Sequence, residues 1–165
     1  MKKTTLRVSE TVSFPHFRVG VGAVIFGAKG NILSFQRADT TDSWQSVQGG
    51  VDRGEGILPA LFREIHEEIG LPKKSLKLVA EYPDWLAYTF PTDRQNEKKG
   101  AGQVQRWFLL KLTGSESEIK LSGNGHKTEF RAWKWTTLER HAREVVGFKR
   151  GVYKTFAEYF RKYMR

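Results

Sequence analysis

The chain has 165 residues, 39% of them hydrophobic and 13% aromatic: enough apolar surface for one compact core, too short for two ordinary domains, and not a disordered composition. The lack of any cysteine excludes a disulfide framework, a thiolate zinc site and a cysteine nucleophile, and suits a cytoplasmic setting. Lys and Arg number 28 against 18 Asp and Glu, and a net charge of +10 attracts nucleic acid, nucleotide phosphates or an anionic membrane surface, although it also suits a merely solubilising surface.

In chain order, residues 1–14 are expected to be a loose N-terminal segment of a single domain spanning 1–165. No apolar stretch follows Met1-Lys2-Lys3, so no signal peptide is read. The longest apolar run, Val19 to Ala28, is about half of what spans a bilayer, and no membrane partner is expected. Phe17 to Phe26 reads as a buried strand, residues 27–30 as its turn and Asn31 to Gln36 as its hairpin partner. Residues 57–69 read as a helix, Leu76 to Tyr82 as a strand, and Trp85 to Phe90 as a short aromatic segment. Pro91 to Gly102 is polar and glycine-tipped, the composition of a mobile loop. Val104 to Leu112 is a strong strand, followed by a polar turn from Thr113 to Glu118. Phe130 to Trp135 alternates as a half-exposed strand does, and Leu138 to Val145 reads as a short helix. From about Gly151 the last segment is helical, with Tyr153, Phe156, Ala157, Phe160 and Met164 on one stripe. This mixture predicts an α/β sandwich with a mixed sheet.

Two near-motifs are set aside. Gly20-Val21-Gly22 has Ile25 where a dinucleotide fingerprint needs its third glycine, and the Lys127-Thr128 pair lacks the glycine spacing of a phosphate loop. The four histidines, His16, His66, His126 and His141, have no metal spacing and are expected on solvated surface.

Residues 49–71 hold five acids and two bases, a net of −3, so the other 142 residues carry +13. Within them Leu58, Leu61, Phe62, Ile65 and Ile69 form an apolar helical stripe, and Glu64, Glu67 and Glu68, at i, i+3 and i+4, are placed on the opposite side. Stacked carboxylates repel, and a hard divalent cation would offset that repulsion; by themselves, three glutamates fit a solvated acidic face equally well. Arg63 can pair with a carboxylate such as Glu55 and fix its orientation. Pro59 must lie in the first turn, so the helix starts near Ile57, and Gly70 is placed to close it in a left-handed cap.

The whole string resembles the Nudix box: Gly49, five residues, Glu55, seven residues, Arg63-Glu64-Ile65, one residue, Glu67-Glu68, one residue, Gly70-Leu71. The chain is identified by it as a member of that family. The resemblance implies an α/β/α sandwich and metal-dependent hydrolysis of a nucleoside diphosphate linkage, with water attacking phosphorus. It implies Mg²⁺ or Mn²⁺, more than one ion with substrate bound, held by Glu64, Glu67, Glu68 and the Gly49 carbonyl. Glu68, Glu64 and Arg63 are then the catalytic set, with Glu68 favoured as general base.

Further segments are similar to bacterial RNA pyrophosphohydrolases and plant-type diadenosine tetraphosphate hydrolases. These are Trp44-Gln45 with Gln48-Gly49-Gly50, Trp85-Leu86-Ala87-Tyr88, Gly102-Gln103-Val104-Gln105-Arg106-Trp107-Phe108, Glu129-Phe130 with Trp133 and Trp135, and Val145-Val146-Gly147-Phe148-Lys149-Arg150. The resemblance adds Glu129 as a further metal ligand, and Phe148 and Lys149 as contacts to the base and phosphates of a 5′ end. As residue types, Glu129 also fits a strand-edge surface carboxylate and Phe148 an anchor for the final helix. Arg18, Arg37, Gln48, Tyr88, Gln103 and Gln105 are further candidate substrate contacts. The family's Arg-Arg pair is Arg37-Ala38 here, so one expected guanidinium contact to a second nucleotide is missing. The first expectation is removal of pyrophosphate from 5′-triphosphorylated RNA by a monomer. Dinucleoside polyphosphate hydrolysis is the alternative, and a non-catalytic RNA- or nucleotide-binding module the third.

Overall fold

In the computed structural model, which describes residues 16–40 and 42–165, eight strands form one mixed sheet. The loose segment expected at residues 1–14 lies outside the described residues. Strands β1 (Phe17–Phe26) and β7 (Gly102–Leu112) run parallel through its middle, in register from Phe17↔Gly102 to Phe26↔Lys111. A parallel pair requires a long crossover, and residues 27–101 supply it.

The expected hairpin keeps only its first rung. Strand β2 (Ile32–Arg37) pairs with β1 at Phe26↔Ile32, then runs between β8 (Phe130–Thr136) and the short β3 (Trp44–Gln45). Strand β4 (Val47–Gly50) takes the vacated stretch of the β1 edge, from Gly20↔Gly50 to Ala23↔Val47. The outer edge of β7 is shared in the same way by β5 (Leu76–Glu81) and β6 (Leu86–Thr89). Arg18 therefore lies opposite Gln103, and Gln103 opposite Tyr88 on β6. The candidate contacts of three strands meet at one end of the sheet.

Alternation along β1 feeds two cores. Val21, Ala23 and Ile25 pack with Phe108 and Leu110 beneath helix α1 (Ile57–Ile69), through its Leu61, Ile65 and Ile69. Val24 and Phe26 pack on the other side with Trp107 and Leu109, beneath α2 (Leu138–Glu144) and α3 (Arg150–Phe160). The result is the expected α/β/α sandwich. Gly22 serves this packing rather than a dinucleotide: a Cβ there would sit 2.5 Å from the Trp107 ring. Helix α3 ends at Phe160, so Met164, expected on its stripe, lies beyond it.

Helix α1 has its expected bounds, with Gly70 at φ 74° closing it through an N–H to the His66 carbonyl (2.9 Å). One placement is corrected. Glu68 does not stand opposite the apolar stripe; its carboxylate is buried. At about 100° per residue, seven positions turn Glu68 to about 20° from Leu61, so it flanks the stripe and follows Leu61 inward. Leu58, at the open end of the helix, is 42% exposed.

Candidate active site

A cleft of about 680 Å³ opens where β1, β4, β6 and β7 end together. One wall is acidic. Glu64 lies against Gly49 so closely that a Cβ there would fall 2.0 Å from its carboxyl carbon. Glu68 accepts the Gln48 backbone N–H, while its Oε2 is buried and has no partner. Burial pushes the Glu68 pKa well above the usual carboxylate value, and the nearby charges of Glu64 and Glu129 add to the effect. Burial also raises Glu64, against the opposing pull of Arg63. Glu129, just ahead of β8, lines the cleft beside them.

Arg63 organises this wall from behind. Its Nε and Nη2 grip both oxygens of Glu55 (2.7 and 2.8 Å), Nη2 also reaches the Gly50 carbonyl (2.9 Å), and Nη1 reaches Glu64 (2.9 Å) and Glu67 (3.3 Å). The guanidinium holds Glu55 down at about 2. Arg63 and Glu67 do not line the cleft; Arg63 lies behind it, in contact with Glu55, Glu64 and Glu67. Glu67 instead pairs with Arg63 and, at 3.5 Å, with exposed His126.

The donors fit a hard divalent cation. They are all oxygens, and Glu68 carries a desolvated, unpartnered oxygen beside two like charges, a cost that a cation would remove. Among the described residues no three His, Cys, Asp or Glu side chains are gathered about a single point, and Arg63 pairs with Glu64 and Glu67.

The facing wall is aromatic and cationic. Tyr88, Phe90 and Phe148 form a triangle with ring centroids 5.6 to 5.9 Å apart. Lys149 Nζ stands 5.4 Å from the Tyr88 ring and Arg94 stands 5.5 Å from Phe148. Lys149 is only 4% exposed and donates to Gln45 Oε1 (3.1 Å). Burial, with Arg37 nearby, brings its pKa down to about 7. Burial pushes the Tyr88 phenol up to about 12, and its oxygen accepts from Gln48 Nε2 (3.0 Å). Buried Gln48 Oε1 and Ser43 Oγ have no partner.

Of the candidate substrate contacts, Arg18, Arg37, Gln48, Tyr88, Gln103, Phe148 and Lys149 line the cleft. Gln105 does not. It is fully buried, accepting from Trp107 Nε1 (3.0 Å) and donating to Gln103 Oε1 (2.9 Å), so it orients Gln103. Arg37 lies in a bidentate grip on Asp39 (2.8 and 2.7 Å) and also meets Gln45 (3.2 Å). Ser43, Phe90, Arg94 and Lys99 also line the cleft, and no motif points to them; Arg94 and Lys99 belong to a loop whose composition shows only polarity.

His141 corrects the expectation that all four histidines are solvated. It is wholly buried beneath the cleft, between Ser34 Oγ and Ser46 Oγ (2.8 Å each), and desolvation lowers its pKa to about 3. The Ser46 N–H donates to Tyr153 Oη (3.0 Å). Ser34, Ser46, His141 and Tyr153 thus brace the β3–β4 ridge that carries Gln45, Gln48 and Gly49.

An α/β/α sandwich with a carboxylate-bearing helix on one lip and an aromatic–cationic wall on the other defines a nucleotide-phosphate hydrolase class. The NUDIX domain family model matches residues 16–156, and the chain belongs to that family. It is a Nudix pyrophosphohydrolase, acting on phosphoric anhydrides. Over 159 residues it is 40% identical to an RNA pyrophosphohydrolase of Azorhizobium caulinodans, covering 89% of this chain and 94% of that one. The fold is similar to the E. coli dihydroneopterin triphosphate pyrophosphohydrolase (TM-score 0.68, 24% identity, 87% of this chain and 98% of that one). It is also similar to a C. elegans Ap4A hydrolase (TM-score 0.65, 23% identity, 87% and 97%). Nudix hydrolases generally use divalent ions such as Mg²⁺ or Mn²⁺. Among the described residues no helix is long and apolar enough to cross a membrane.

Proposed function

We propose that this protein removes pyrophosphate from the 5′ end of triphosphorylated RNA, as a cytoplasmic monomer using Mg²⁺ or Mn²⁺. One observation carries the reading: the cleft joins the unpartnered Oε2 of Glu68 to a wall where Phe148 and Tyr88 stand beside Lys149. Such a wall suits a terminal base on an aromatic ring with its phosphates reaching toward the acids. The Azorhizobium relative, named for RNA, supports the substrate class.

In this reading Glu64, Glu68, Glu129 and the Gly49 carbonyl hold the ions from the cleft wall, and Glu67 joins them by giving up its pairing with Arg63. When bound, the ions neutralise charge building on the phosphate oxygens and acidify the attacking water. Glu68 accepts the proton of the water that attacks the α-phosphorus, as the α–β anhydride bond breaks and pyrophosphate leaves. Arg18, Lys149 and the Gln103 carboxamide hold the phosphate chain, and Phe148 stacks the base. Arg63 keeps Glu55, Glu64 and Glu67 in place.

A specific observation favours a second reading. Ala38 stands where an arginine is expected, and Asp39 occupies the Arg37 fork, which weakens the hold on a second nucleotide of an RNA chain and suits diadenosine tetraphosphate or a similar dinucleoside polyphosphate. The test compares turnover of 5′-triphosphorylated RNA, diadenosine tetraphosphate and nucleoside triphosphates with each ion. Preferential release of pyrophosphate from RNA supports the first reading, and preference for the dinucleotide replaces it with the second. Tight RNA binding without turnover of any of them would leave a binding module.

A further inference from the structure

A groove of about 640 Å³ runs between α2 and α3, outside the cleft. Arg143 of α2 faces it, with Arg150 and Lys154 of α3 and Arg161 just after that helix. Positions 150, 154 and 161 fall on one helical face. Two acids also line the groove, Glu139, which pairs with Arg161, and Glu158. Arg143, Arg150 and Lys154 are exposed or half-exposed, and among the described residues they make no ion pair or side-chain hydrogen bond. Neighbouring bases are paired: Arg140 and Lys134 share the Glu144 carboxylate, and Arg37 holds Asp39. Arg150 moreover stands in the first turn of α3, where the helix dipole disfavours a cation. Four bases against two acids leave the groove net positive, which suits an anionic ligand.

Groove and cleft draw on one stretch of chain: Val146, Phe148 and Lys149 line the cleft, Arg143 and Arg150 line the groove, and Arg150 follows Lys149 by one Cα step of about 3.8 Å. We propose that the α2–α3 groove carries the sugar–phosphate backbone of single-stranded RNA downstream of the 5′ end held in the cleft. This rests on the RNA reading above. Its cations would meet phosphates over a floor of Ala142, Gly151 and Ala157, a contact independent of base sequence. Diadenosine tetraphosphate has no downstream chain to lay there.

The test uses the full chain and its triple variant Arg143→Ala, Arg150→Ala, Lys154→Ala, with folding checked by thermal melting. KM and salt dependence are measured for 5′-triphosphorylated oligoribonucleotides of about two and about twelve nucleotides, alongside diadenosine tetraphosphate. The wild type should favour the longer RNA. The triple variant should lose that preference, and its log–log salt slope on the longer RNA should fall by about 2, three phosphates at roughly 0.7 each. Its turnover of diadenosine tetraphosphate should stay within about twofold, because the three removed cations meet only a long chain. Lys162→Ala removes a cation outside the groove, since Lys162 lies over the Tyr159 ring; it should leave the length preference intact. Length preference persisting in the triple variant, or lost equally in Lys162→Ala, overturns the groove assignment. So does a wild type that cleaves both RNAs with equal KM, though the RNA reading then survives. Turnover of the dinucleotide with none of either RNA sinks the RNA reading itself, and the groove assignment with it.

Discussion

Two buried polar regions lie within a few residues of each other and are built to opposite rules. In the His141 node both ring nitrogens, both serine hydroxyls and the Tyr153 hydroxyl have partners at 2.8 to 3.0 Å. In the cleft, Glu68 Oε2, Gln48 Oε1 and Ser43 Oγ are buried with none. A satisfied buried network fixes geometry, and here it fixes the β3–β4 ridge. An unsatisfied one costs stability until a ligand supplies what is missing. The contrast separates the polar groups that hold the site from those that meet substrate. Gln105 and Gln103, two residues apart on β7, divide in the same way.

The contrast is tested hardest at Glu68. Glu68→Gln should lower kcat by at least about a hundredfold, the lower scale of a lost general base. With chelator present, the same variant should be more stable than wild type at neutral pH, by about 1–2 kcal/mol, because the amide avoids the cost of keeping an ionisable carboxyl in that desolvated position. The sign with pH follows from the raised pKa: what Glu68 contributes to stability is present below the usual carboxylate range and is lost as pH rises through its raised value. The advantage of the variant should therefore shrink as pH falls toward 4.5, its ordinary value. Denaturant melts across pH, paired with hydrolysis rates, check both signs. A variant less stable at pH 7 would mean that the cleft carboxylate is satisfied after all.

At the node the sign reverses. His141→Ala should cost about 2–4 kcal/mol of stability, since it strands two serine hydroxyls and opens a cavity. The His141 pKa is depressed to about 3, so its stabilisation is present above about 6.5 and is lost as pH falls toward 3. Acid melts of the variant should be flatter than those of wild type over that window. Equal slopes would remove His141 from the explanation.

On the aromatic wall, Phe148→Ala should weaken either nucleotide substrate by about 1–3 kcal/mol, the scale of base–aromatic stacking, measured as Kd with the chelated protein. Thermal stability should change less than after His141→Ala; the reverse ranking would make Phe148 a core anchor. Lys149, lowered to about 7, should bind phosphate as a cation below that pH, so affinity should fall as pH rises through 7 and Lys149→Met should flatten the profile. Asp39→Asn is the smallest effect. The pair with Arg37 is partly exposed and is worth less than about 1 kcal/mol, and freeing the guanidinium should tighten polyphosphate binding by about two- to fivefold.

What the sequence alone determined was local. The bounds of α1, the cap at Gly70 and the Arg63–Glu55 pair depend on spacings of a few residues, and period and chain geometry suffice for those. The strands were legible for the same reason, by alternation and by turn residues. Which edges they would share was not: β4 displaces β2 along β1 through pairings that no local pattern encodes. Helical angles turn Glu68 toward Leu61 without saying how far the sheet and its loops will cover it, so the depth of its burial, and that of His141, escapes them. The Nudix resemblance named Glu129 and Phe148, but only folding brings Glu129 to Glu64 and Glu68, and Phe148 to Tyr88, across 60 residues or more. Burial, and with it every pKa shift that poises the cleft, is a property of that packing: desolvation depends on what surrounds a charge, and those neighbours come from distant parts of the chain.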